Sequence, residues 1–173
     1  MFLAAEVEEP FRQGEIIAAL VDYIFDPELA EVSEIAYEFG VVLAQDCDLQ
    51  RYHESQPIDD APVLIFPASD AATGRATAGL NTKEWRTARQ NNNPRYHVLQ
   101  SCPVDCDSGD GIPDLMIDFR RYFVLQHAQL AKQVNMGDAV RRSKLIAPYR
   151  EHLQSRAMHY LSRVPLDPPH NVA

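Results

Sequence analysis

The distribution of apolar residues constrains the fold of this chain more than any other feature. Several short apolar segments, bounded by Gly, Pro, Asn and Asp, precede one stretch of clear helical periodicity. In "FRQGEIIAALVDYIF" a polar-Gly turn leads into Ile16, Ile17, Leu20, Val21, Tyr23, Ile24 and Phe25. β-Branched and aromatic residues at this density favour a strand, while the Ala18-Ala19-Leu20 centre leaves a helix open. "DPELAEVSEI" reads as a loop or short helical turn. "IAYEFGVVLAQ" reads as a second strand, buried where Val41, Val42 and Leu43 follow one another. "APVLIFPAS" reads as a third strand, ended by Pro67. "RQNNNPR" signals a turn, "EWRTAR" one helical turn, "RYHVLQ" a short strand, and "LMIDFRRYFVL" a further strand. Ile146, Tyr149, Leu153, Ala157, Tyr160, Leu161 and Val164 then recur at three- and four-residue spacing, which predicts an amphipathic helix from about Ala147 to Arg163. The pattern is mainly β with α: a small twisted antiparallel barrel with a C-terminal helix against it.

A chain of 173 residues has room for one domain with a real core. We place that domain at residues 1–165 and a disordered tail at 166–173. No apolar run approaches the roughly 20 residues of a membrane helix, and "MFLAAEVEEP" lacks a basic start, so a cytoplasmic chain without a signal peptide or membrane partner is expected. Three cysteines in a reducing compartment are expected to stay thiols.

The net charge of -9 hides an asymmetry. Residues 1–70 carry 16 acids against Arg12 and Arg51, whereas residues 119–165 carry nine bases against Asp138 and Glu151. Either the two ends face each other, or the basic end offers a surface to phosphate or to an acidic partner.

Cys47, His53, Cys102 and Cys106 are the candidate ligands of a zinc tetrad, with only "CPVDC" at the usual pair spacing. The competing reading, which we favour, is ordinary thiols and no cofactor, with Cys47 pointing into the core while Asp46 and Asp48 cap a turn. Flanking carboxylates raise a thiol's pKa, which argues against Cys47 as a nucleophile. His97 reads as a strand residue rather than a base. Asp105, Asp107, Asp110 and Asp114 read as turn acids, without the spacing of a calcium loop.

The order of the motifs "FRQGEII", "FGVVLAQDCD", "PVLIFPAS" and "DLMIDFRRYFVL" resembles that of the PemK/MazF family of plasmid-maintenance toxins, over roughly Phe11 to Val164. The resemblance implies an SH3-like barrel of the PemK type. It also implies metal-independent cleavage of single-stranded RNA by an Arg opening the second strand and a Ser or Thr ending the third. Ser69 falls on the Ser/Thr position. The Arg position falls at Phe39 or Gly40, and neither carries charge. The resemblance therefore implies a degenerate binding module in a bacterial stress-response, toxin-antitoxin or phage-defence system. Its partner would be a protein encoded nearby, with single-stranded RNA or a second copy of the chain as further candidates. Arg120, Arg121, Arg141 and Arg142 are the expected contact residues. The alternatives are an active endoribonuclease, in which Ser69 acts with Arg120 or Arg121, and a zinc-stabilised adaptor.

Overall fold

A computed structural model describes residues 1–6, 9–28, 30–54, 61–106 and 109–163. The expected tail lies outside them. Over the described residues the protein is mixed α/β, with five helices and one sheet of eight strands. The sheet runs β1 (Phe2–Ala4), β8 (Val140–Leu145), β2 (Glu15–Asp26), β3 (Glu31–Val42), β4 (Pro62–Asp70), β6 (Leu115–Asp118), β5 (Tyr96–Leu99), and β7 (Phe123–Gln126) also pairs with β4. All of these pairings are antiparallel. The path does not close on itself, so the sheet is open where a barrel was expected.

β2 is a strand throughout, and its pairing with β3 begins at the acidic segment expected to be a loop: Asp26 lies opposite Glu31 and Ile16 opposite Val41. The pairing energy of a long hairpin overrides the low strand propensity of Glu31 and Glu34. At its inner end the ribbon is core. Ile16, Ile17, Leu20, Val41 and Val42 are fully buried.

Pro67 does not end β4. It sits opposite Gly40, and the strand continues to Asp70. The Leu43 N–H donates to the Leu64 carbonyl, which fixes the alternation of the β3–β4 ladder and turns residue 67 away from β3. On that far side Ile65 pairs with Phe123 and Ala68 with Ile117. Two residues of β4, Phe66 and Pro67, thus face residues 118–122, which explains why "LMIDFRRYFVL" is two strands and not one. The missing Pro67 N–H falls where the neighbouring chain loops out, the place where a sheet tolerates proline. Phe119 anchors this loop, fully buried with its ring edge-on to Phe66 at 5.6 Å.

Four helices escaped the sequence reading or exceeded it. Asp46–Glu54 forms α1, Ala71–Ala78 forms α2, Thr82–Arg89 forms α3 and His127–Met136 forms α4. α2 follows β4 directly because the Asp70 carboxylate caps it, accepting from the N–H groups of Ala72 and Thr73 at 3.0 Å. α3 opens on an Asn81/Glu84 capping box. β8 falls in a segment to which the sequence assigned no element; α5, expected from about Ala147 to Arg163, runs Tyr149–Leu161 and buries Leu153 and Ala157 as its periodicity requires.

Candidate functional site

The loop opposite Pro67 builds a recess of about 260 Å³, walled by the end of β4, by α2 and by β5 and β6. Pro67 and Ser69 line it from β4, Gly74 and Thr77 from α2, Arg95 and Tyr96 from β5 and its lead-in, and Asp118, Arg120 and Arg121 from the loop. Ser69, Arg120 and Arg121, expected to act together, lie in one recess. Gly74 keeps the hydroxyl open: a Cβ there would stand 3.0 Å from Ser69 Oγ and 3.1 Å from Met116.

Asp118 organises the cations. Its carboxylate accepts from Arg95 Nε at 2.9 Å and Arg95 Nη2 at 2.5 Å, and from the Arg120 backbone N–H at 3.1 Å. The Arg120 guanidinium reaches the same carboxylate only at 3.4 Å and is half exposed. Three guanidinium groups against one carboxylate leave a positive surplus, in a concavity where solvent screens less than on a flat surface. Arg95 also stacks over Tyr96 at 4.5 Å, and burial raises the Tyr96 phenol above its ordinary pKa, partly offset by Arg95. Tyr122, exposed at the end of the loop, lies with its ring 6.1 Å from that of Phe66 and is not part of the recess lining. The arrangement can hold a phosphate or carboxylate. Among the described residues lining it, Asp118 is engaged by two arginines and the Tyr96 phenol is raised by burial, so neither is poised to take a proton from Ser69.

The arginine position that the resemblance implies has neither charge nor room. Phe39 is buried, and a Cβ at Gly40 would come within 2.4 Å of Leu20 Cδ1 and 2.8 Å of Ile65 Cγ2.

Arg141, expected as a contact residue, is buried instead. It is buried against Glu15, donating through Nε to Oε1 and through Nη2 to Oε2 at 3.0 Å, while Nη1 serves the Glu9 carbonyl at 2.5 Å. Phe11 covers the guanidinium at 4.7 Å. Arg142 is half-buried and donates to the Gly111 carbonyl at 2.8 Å, bracing the loop after Cys106. With Lys144–Glu9 and Arg150–Asp46, these contacts show the basic end folding onto the acidic one.

Cys47 is exposed on the first turn of α1 rather than buried, because Asp46 turns inward to accept from the Gln13 N–H and from Arg150. His53 lies on the same helix. Cys102 is buried, its thiol 3.3 Å from the Cys106 carbonyl, and Cys106 is half-buried in a short 3₁₀ turn. Among the described residues no three His, Cys, Asp or Glu side chains group as metal ligands. Asp114 accepts from the Ser101 N–H, while Asp107 lies outside the described residues.

His97 lies away from the recess, buried beneath α5. Its Nδ1 accepts from Arg156 Nε at 3.0 Å, and burial, reinforced by Arg156 and His152, pushes its pKa to about 3. Arg95 and Asp118 are the recess residues the sequence reading missed. The signal was present: a proline inside an apolar strand, and a charged pair interrupting another, mark two segments that cannot pair straight across. Among the described residues no helix is long and apolar enough to cross a membrane. No protein-family model matches this chain, and no curated protein does.

Proposed function

We propose that this chain is a binding module that holds a phosphate of single-stranded RNA in the Ser69–Arg95–Arg120–Arg121 recess without cutting the strand. The observation that carries this reading is the convergence of three arginines, Arg95, Arg120 and Arg121, on one concavity. Guanidinium forks suit phosphate oxygens. The absence of cleavage follows from the recess chemistry. Transfer to the ribose 2′-oxygen needs a group to take its proton, and the carboxylate at hand is already committed to Arg95. On the order and character of its motifs, we place the module as a degenerate relative of PemK/MazF toxins. Its setting would be a bacterial stress-response, toxin-antitoxin or phage-defence system, with a protein partner encoded nearby. Relationship to the closed PemK-type barrel would then mean an opened version of that sheet.

The active endoribonuclease is the second reading, favoured by Ser69 sharing the recess with Arg120 and Arg121. Incubation with end-labelled single-stranded RNA separates the two. Retarded but intact RNA, with binding weakened in Arg121→Ala, supports the binding module. Products that vanish in both Ser69→Ala and Arg120→Ala would establish the enzyme.

A further inference from the structure

The outer half of the β2–β3 ribbon is unexplained by the recess. β8 pairs with β2 only over Glu15–Ala18, and β4 with β3 only over Phe39–Val42. Beyond these points, among the described residues, the two strands pair only with each other. Cross-strand partners share a face, and faces alternate along each strand. Val21, Tyr23 and Phe25 therefore stand with Ala36, Glu34 and Val32 on one face, and Asp22 and Ile24 with Ile35 and Ser33 on the other, which Glu31 joins. On the first face Tyr23 is 48%, Phe25 61% and Val32 62% exposed. Large apolar side chains gathered on an open sheet face mark a contact surface more often than scattered ones do.

The two edges of the ribbon are not equivalent. On the β2 side, the buried Gln133 amide of α4 accepts from the Val21 N–H at 3.0 Å and donates to the Val21 carbonyl at 2.8 Å. It occupies the place of a neighbouring strand and blocks that edge. The same contact fixes the hydrogen-bond phase: Val21 points its backbone groups outward, so its opposite number Ala36 does too, and with it Glu34 and Val32. The β3 edge therefore presents outward N–H and C=O groups at Val32, Glu34 and Ala36.

We propose that the β3 edge, Val32 to Ala36, is a docking site for an extended basic segment of a partner protein, which joins the sheet as an added strand. Charge selects this occupant. The stretch from Leu20 to Glu38 holds six acids and no base, so a second copy of the ribbon would bring like charges side by side, which disfavours its pairing. A strand of alternating basic and apolar residues complements this edge: its apolar side chains extend the face of Val32, Phe25 and Tyr23, and its Lys or Arg side chains lie beside Glu31 on the other face, with Glu34 adding a carboxylate at the same edge. Backbone pairing supplies affinity and the two faces supply selectivity. This inference stands apart from the RNA recess.

The test uses the full chain and a fluorescein-labelled peptide of four Lys-Val repeats, read by anisotropy. The expected result is saturable binding that weakens about tenfold or more in Glu34→Pro, which deletes one outward N–H without touching the β2–β3 bonds. The same loss is expected when alternate backbone amides of the peptide are N-methylated, a comparison made on the unaltered protein, so a poorly folding variant does not stop the test. Absent binding, or equal affinity for the N-methylated peptide, overturns the proposal. So does sedimentation showing a dimer that Glu34→Pro dissociates, since the occupant would then be a second copy.

Discussion

Arg141 and Arg121 belong to one basic half of the sequence but have opposite roles. Arg141 neutralises Glu15 where neither group meets water, and burial pushes the Glu15 carboxyl upward against the pull of its partner. Removing one member of such a pair strands the other, at a cost of about 3–5 kcal/mol. Urea denaturation of Arg141→Ala should show a loss of that size. Arg121 is exposed at the recess, and Arg121→Ala should stay within about 0.5 kcal/mol of the parent while weakening RNA binding. Charge counting along the chain could not separate them, because what differs is the burial of each side chain. Gly40 makes the same point by volume. Leu20 and Ile65 fill the space its side chain would need, so Gly40→Ala should lose about 1–3 kcal/mol, and Gly40→Arg should not convert the protein into a nuclease. A Gly40→Arg protein that folds normally and cuts RNA would contradict this account of the site.

At the scale of elements, the segments whose apolar residues pack locally were legible, and those held by distant partners were not. β2, the inner half of β3, β5 and the core face of α5 follow from their own side chains. α4 and β8 do not: β8 alternates Arg141, Ser143 and Leu145 inward, and two of those three read as surface until Glu15 and the Leu3 carbonyl supply their partners. The recess was half legible for the same reason. Ser69 and the Arg120-Arg121 pair could be named, but Arg95 enters through pairing between β5 and β6, which no local pattern encodes. α5 shows an element fastened by a titratable contact. Arg156, placed on its exposed face by periodicity, instead turns inward and donates to neutral His97. Folded His97 titrates near 3, and the unfolded chain near 6.5. Between those values the unfolded state binds a proton that the folded state does not. Stability should therefore rise as pH increases from about 3 to 6.5 and level off above, by up to a few kcal/mol from this group. Thermal melts across that range should show a shallower slope in His97→Gln.

For the whole molecule, the open sheet separates two surfaces of opposite character. The cationic recess lies where β4 meets the loop between β6 and β7, and the acidic ribbon projects past the end of β4. They adjoin at Tyr37, whose phenol is raised by burial and by Asp22 and lowered by Arg121. Arg141, Lys144 and Arg150 of the basic half are spent on internal pairs with Glu15, Glu9 and Asp46, which leaves Arg120 and Arg121 at the recess, so the net acidity of the chain does not prevent a local phosphate site. The most direct measurement is the affinity for a short single-stranded RNA as a function of salt, with the RNA recovered and sized afterwards. Binding to the recess releases counterions for each phosphate neutralised, so log affinity should fall linearly with log salt. Arg121→Ala should reduce that slope by about 0.7, Arg142→Ala should leave it unchanged, and the RNA should come back full length. An unchanged slope in Arg121→Ala, or recovered RNA that has been cut, would contradict the account.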